Sequence, residues 1–221
     1  MISPLLANIY LNPLDHLMAG TGRLMVRYAD DMVVLCRSRE EADAALADIR
    51  AWTAEAGLTL HPEKTRIVHE TEGFDFLGYT FRAGRRYPRK KSLDRIKDKV
   101  RAITRRANGQ SLGEIIARLT ASLRGWYGYF KHSRRSVFTD MDGWVRHRLR
   151  AILLGREGTH RWRITHEDHR RWPKAYFAER GLFSLAEAHA LASQSRQRNS
   201  QPESRMREIR QSGSEGGVAF A

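Results

Sequence analysis

Leu24-Met25-Val26-Arg27-Tyr28-Ala29-Asp30-Asp31-Met32-Val33-Val34-Leu35-Cys36 is the stretch whose reading decides the fold of the first part of this chain. Branched and long apolar side chains fill both arms, and each arm has the length of a strand rather than a helix. Ala29 and Asp30 fall at the reversal, where short residues tolerate turn geometry. The stretch therefore predicts an antiparallel hairpin that lifts Asp30 and Asp31 to its tip. A magnesium-like ion takes hard oxygen ligands, usually one or two carboxylates, with water and substrate phosphate completing its shell. Adjacent aspartates at a rigid tip suit that need, although an acidic surface turn fits the same residues.

Working outward, the 221 residues suffice for one medium or two small domains, and the formal charge is +14. That charge is uneven. Residues 1–88 hold 10 Lys+Arg against 12 Asp+Glu, a net of −2, whereas residues 89–221 hold 29 against 13, a net of +16. A near-neutral front and a strongly basic back point to a polyanion, most often nucleic acid, held by the back half. The alternative, a basic membrane-surface segment, needs an amphipathic helix with a broad apolar face. The single cysteine, Cys36, excludes an internal disulfide and a Cys-based zinc module, so zinc is not expected. No apolar run approaches membrane-spanning length and the start lacks a signal pattern, which places the expected location in the cytoplasm, with nucleoid or ribonucleoprotein.

Pro4 in a first turn, Ser3 as N-cap and apolar residues at 5, 6, 9, 10 and 14 predict a buried helix at the very start. Ser38 and Glu41 form a capping box for a helix to about Ala56, with Ala42, Ala45, Leu46, Ile49, Trp52 and Thr53 inward and Gly57 as its left-handed stop. Short strands are predicted at Leu58-Thr59-Leu60 and Arg66-Ile67-Val68-His69. A longer one is expected over Phe74–Phe81 with Phe74, Phe76, Gly78 and Thr80 on one face. Gly84-Arg85-Arg86-Tyr87-Pro88 marks a boundary. Beyond it, helices are predicted at 89–107, 111–131 and 137–154. Their stripes are Ile115, Ile116, Leu119, Leu123, Trp126, Tyr127 and Phe130, then Val137, Met141, Trp144, Val145, Arg148, Leu149 and Ile152. A further helix is expected from about Ser184 to Ala192, followed by a polar tail without apolar anchors. The fold class is α+β, an antiparallel sheet with helices followed by a helical bundle and a basic, partly disordered tail.

The order of motifs carries a resemblance. Ile2-Ser3-Pro4-Leu5-Leu6-Ala7-Asn8-Ile9-Tyr10-Leu11, Tyr28-Ala29-Asp30-Asp31, Leu60-His61-Pro62-Glu63-Lys64-Thr65, Phe76-Leu77-Gly78-Tyr79 and Leu123-Arg124-Gly125-Trp126-Tyr127-Gly128-Tyr129-Phe130 together resemble bacterial group II intron reverse transcriptase/maturase proteins over roughly residues 1–155. The resemblance implies the end of a reverse-transcriptase palm at 1–88, a helical thumb/maturase (X) domain at 89–155, a basic extension at 156–192 and a disordered tail at 193–221. It also implies RNA-directed DNA polymerase chemistry, a two-metal nucleotidyl transfer on an RNA/DNA primer-template. Asp30 would be the metal-binding carboxylate and Asp31 its orienting partner, both for Mg²⁺. Tyr28 and Ala29 would lie beside the nucleotide and primer end, and Lys64 would neutralise or protonate the departing pyrophosphate. Phe76, Leu77 and Gly78 would form a primer-grip hairpin. By spacing alone, Lys64 remains equally a solvated loop lysine.

The family pattern includes an upstream palm strand whose aspartate completes the metal site. The only carboxylate ahead of Asp30 is Asp15, which does not match that position. The expectation is a chain that is part of a longer or split protein, with an incomplete Mg²⁺ site and no cDNA synthesis alone. The second reading is a non-catalytic module that binds group II intron RNA through Lys90, Lys91, Arg105, Arg106, Lys131, Arg134 and Arg135. Tyr127, Tyr129 and Trp126 could face unpaired bases or fill the core. An HNH-type nuclease, suggested by His160, His166 and His169, is rejected for want of cysteine pairs.

Overall fold

The computed structural model describes residues 2–105, 109–158 and 163–195. The chain divides into two compact units at Arg89/Lys90. The described residues form eight helices and two small antiparallel sheets, an α+β fold.

The first unit opens with α1, Ser3–Gly20, and continues with the hairpin β1, Leu24–Tyr28, and β2, Asp31–Leu35. The register pairs Tyr28 with Asp31 and Leu24 with Leu35, so the loop has two residues, Ala29 and Asp30, with Ala29 at φ 54°. Alternation along these strands sends Met25, Met32 and Val34 inward against Leu14 and Met18 of α1 and Ile49 of α2, Arg39–Glu55. Two expectations for α1 fail. Ser3 lies inside the helix rather than capping it, and Leu5, Leu6, Ile9 and Tyr10 are exposed, because the hairpin and α2 cover only the stripe Leu11, Leu14 and Met18. In α2 the Ser38 hydroxyl does accept from the Glu41 N–H (3.1 Å), but the Glu41 carboxylate turns to the Arg37 N–H (2.7 Å), giving half a capping box. Its C-terminus closes at Gly57, where the Leu58 N–H reaches the Thr53 carbonyl (2.8 Å) and the Gly57 N–H reaches Ala54 (3.2 Å), a Schellman closure.

Neither Leu58–Leu60 nor Arg66–His69 forms a strand. Leu60 packs its side chain on the Leu14, Met18 and Ile49 cluster, but no neighbouring strand accepts its backbone. The expected single strand over 74–81 is instead a hairpin of β3, Phe74–Phe76, and β4, Tyr79–Arg82, and residues 84–88, where a boundary is expected, hold a third strand, β5, Arg85–Pro88, that ends just ahead of the division at Arg89/Lys90. The turn at Leu77 (φ 47°) and Gly78 (φ 77°) puts both central residues in the left-handed region that tight hairpins require. Folding back brings Phe74 and Phe81 into a stack at 5.2 Å.

The second unit comprises α3, Lys90–Ile103; α4, Leu112–Phe130; α5, Arg135–Arg156; α6, His166–Arg171; α7, Lys174–Ala178; and α8, residues 185–195. The predicted α4 stripe buries Ile115, Ile116, Leu119, Leu123 and Phe130, under a full capping box between Ser111 and Glu114. Facing it are Ile96, Val100 and Ile103 of α3 and Phe138, Met141, Val145, Leu149 and Ile152 of α5. Phe138, fully buried, takes the inward place expected of Val137. Trp172, Phe177 and Leu185 join this same cluster, so the described part of 156–192 packs with α3–α5 rather than standing apart. α8 continues to residue 195, and the remainder of the expected tail lies outside the described residues.

Candidate functional site

The tip of the first hairpin gathers Tyr28, Ala29, Asp30 and Asp31. Tyr28 and Asp31 are Cα partners and share the open face of the two strands, with Leu24, Val26 and Leu35 also exposed there. Asp30 stands exposed in the loop. Neither carboxylate is engaged in a hydrogen bond or ion pair among the described residues.

What holds the tip is a residue that sequence reasoning missed. Arg27 points inward on β1. Its Nε donates to Asp15 Oδ1 (2.8 Å) and its Nη2 to the other oxygen of the same carboxylate. Nη1 donates to Asn8 Oδ1 (3.0 Å) and to the Ala29 carbonyl (2.9 Å). One guanidinium thus ties α1 to the loop itself, and the bond to Arg27 holds the Asp15 carboxyl below the usual carboxylate range. Strand alternation was the available signal, since Arg27 shares a face with Met25 and an inward charge needs a partner.

Lys64 lies exposed in the turn after Pro62, its N–H bonded to the His61 carbonyl (3.2 Å). Phe76, Leu77 and Gly78 occupy the end of β3 and its turn. That turn is braced by the Arg89 N–H on the Gly78 carbonyl (2.8 Å) and by the Arg89–Asp75 ion pair (2.8 Å). Among the described residues no group of three or more His, Cys, Asp or Glu side chains could hold a metal ion. Asp30 and Asp31 together are a donor pair whose oxygens fit Mg²⁺, which needs only one or two carboxylates.

In the second unit Lys90 and Lys91 open α3, Arg105 follows it, and all three are exposed. Lys131, Arg134 and Arg135 are exposed in the turn from α4 to α5. Arg106 lies outside the described residues. Trp126 and Tyr127 pack edge-on against Phe138 at 6.1 and 5.4 Å, while Tyr129 is exposed. His166 and His169 sit on α6, and His160 lies outside the described residues. α6 is capped reciprocally by Thr165 and Asp168. No described helix is long and apolar enough to cross a membrane.

A family model for "Reverse transcriptase (RNA-dependent DNA polymerase)" matches residues 1–81. One for "Group II intron, maturase-specific domain" matches residues 93–180. No curated protein matches the chain.

Proposed function

Because the chain belongs to the group II intron reverse transcriptases with a maturase region, we propose that its two units divide that work. Asp30 and Asp31 supply carboxylates to Mg²⁺-dependent nucleotide transfer onto a primer end, and the second unit holds intron RNA. The observation that carries the first part is the braced hairpin tip with two uncommitted, exposed carboxylates. Mg²⁺ bound there supplies positive charge to the attacking and leaving oxygens of the transferred phosphate. Arg27 fixes the loop so that the carboxylates need no reorganisation. Tyr28, beside Asp31 on the open face, offers a ring for the nucleotide. Lys64 neutralises charge on pyrophosphate, and the Leu77-Gly78 turn brings bare backbone to the primer strand.

RNA holding by the second unit stands without the metal site, and it is favoured for this polypeptide acting alone. Among the described residues no third His, Cys, Asp or Glu groups with Asp30 and Asp31, and two carboxylates alone do not make a two-metal clamp. The amphipathic α3 supports it too, with Ile96, Val100 and Ile103 buried and Lys90, Lys91, Arg95, Lys99 and Arg101 exposed. The test is intron-RNA affinity against salt. With Lys90, Lys91, Lys131 and Arg135 changed together to Gln, the slope of log K on log salt should shallow by about 3–4, close to one for each phosphate no longer neutralised. An affinity unmoved by salt and by the quadruple variant rejects the RNA-binding reading. In parallel, the purified chain with primer-template and Mg²⁺ should give no extension. Robust extension would overturn the incomplete-site reading.

A further inference from the structure

Arg150 is enclosed by the core of the second unit, only 4% exposed. Its Nε and Nη2 both donate to one neutral acceptor, the Trp172 carbonyl, at 3.0 and 2.8 Å, and its guanidinium lies over the Phe177 ring at 5.4 Å. Among the described residues no carboxylate stands in ion-pair range of it. Burial and then the charge of Arg146 push its pKa below the usual arginine value, with Asp168 opposing them. The Asp168 carboxylate is turned to the Thr165 N–H (2.7 Å) and hydroxyl (2.8 Å) as the α6 cap. A buried charge without an anion in contact is costly, and an oxyanion beside it would offset that cost.

Arg150 lines a cavity of about 330 Å³ together with Gly143 and Arg146 of α5, His169 of α6, and Pro173 and Lys174 at the start of α7. No carboxylate is among these lining residues. Lys174 pairs with Glu187 at 2.5 Å, which leaves the two arginines as the lining cations without an ion pair among the described residues. His169 is exposed at the rim, and its imidazole is held below its usual pKa first by partial desolvation and then by Arg150, His147 and His166, against Asp168. At Gly143 an added Cβ would meet nothing within 4 Å, so this stretch of α5 leaves the space open.

We propose that this cavity binds a phosphate monoester, either a mononucleotide or the phosphorylated end of an RNA chain. Guanidinium forks match phosphate oxygens bidentately, and Arg150 keeps N–H donors beyond those given to Trp172. Two permanent charges and an imidazole that gains a third on protonation suit the dianion of a monoester better than the single charge of a diester. The inference is independent of RNA binding by α3 and the α4–α5 turn.

Calorimetric titration of the full chain with inorganic phosphate, AMP and adenosine tests it. AMP should bind saturably, phosphate more weakly, and adenosine not at all. Bound phosphate should raise the pH at which His169 titrates by NMR. Arg146→Gln, at a half-buried position, should weaken AMP at least tenfold. Gly143→Leu, which favours helix and fills the cavity, should abolish binding while the circular dichroism stays unchanged. Arg118→Gln, on exposed α4 surface, should leave binding as it was. Preference for a 5′-phosphorylated over an unphosphorylated RNA oligonucleotide would assign the site to RNA ends, and equal affinity would assign it to free mononucleotides. Absence of AMP binding at millimolar concentration overturns the proposal, as does binding that neither Arg146→Gln nor Gly143→Leu disturbs.

Discussion

Arg27 connects three things at once, the first helix, the hairpin and the carbonyl of the loop that presents the aspartates. Arg27→Met keeps the apolar stem but leaves Asp15 and Asn8 without their donor, so unfolding in urea should show a loss of about 1.5–3 kcal/mol. The sign of the acid dependence follows from Asp15. Its folded pKa is depressed by the bond to Arg27, so the stabilisation is present above the ordinary carboxylate value and is lost as pH falls through the folded one. Wild type should therefore lose stability below about pH 4 more steeply than Arg27→Met, and equal acid profiles would contradict the link. At Gly73, φ is 86° and an added Cβ would lie 2.7 Å from the Phe81 carbonyl oxygen. Gly73→Ala should cost roughly 1–3 kcal/mol, read as a lower urea midpoint. The aspartates were legible in sequence because a turn between two apolar arms is a local pattern. Asp15 was not, because its partner is twelve residues away and only the packing of α1 on β1 brings them together.

Among the elements, the long helices and the first hairpin were legible, whereas α6, α7 and the other short strands were not. The stripes of α4 and α5 repeat at helical spacing, and a helix satisfies its own backbone. A strand needs a neighbour, so Leu58–Leu60 and Arg66–His69 stay unpaired as segments despite suitable residues. The alternation over 74–81 is real, but two left-handed residues at Leu77 and Gly78 cut it into a hairpin, and Phe74 then faces Phe81 across the ladder. The seating of α8 was hidden from sequence for another reason. Asp142, buried on α5, accepts from the Ser184 hydroxyl (2.8 Å) and from the N–H groups of Leu185 (3.0 Å) and Ala186 (3.1 Å), and so caps a helix more than forty residues away. Thr120 adds a bond to the Gly181 carbonyl (2.9 Å) and one from the Phe183 N–H (3.1 Å). Asp142→Ala should release α8, with a stability loss of about 2–3 kcal/mol and hydrogen exchange accelerated in 185–195 before the α4 core. Protection of α8 equal to wild type would show that burial of Leu185 alone holds it.

At the scale of the whole chain, charge and core are distributed in the same sense. The net positive charge falls to the unit that also has the large core, sixteen buried apolar residues in one cluster against three in the cluster of the first unit, counted among the described residues. Hydrophobic stabilisation follows the area removed from water, so the second unit should be much the more stable. A well-anchored body can carry a dense positive surface, because its apolar faces already outweigh the mutual repulsion of its cations. The first unit has no such margin. It exposes Leu5, Leu6 and Ile9 on α1 and Leu24, Val26 and Tyr28 on β1, while its metal-binding candidates ride on the two-stranded sheet that its small core supports. Trp52 is the only tryptophan before Arg89 and packs on that small core, so it reports on the first unit alone. Urea titration followed by fluorescence should give an early transition that disappears in Trp52→Phe, and a later one, carried by the tryptophans of the second unit, that does not move. RNA added at low salt should shift the later midpoint upward and leave the early one where it was, since a ligand raises the stability of the unit that binds it. A single transition, coincident by fluorescence and circular dichroism and unaltered by Trp52→Phe, would mean that the two units unfold together and that RNA bound to one stabilises both.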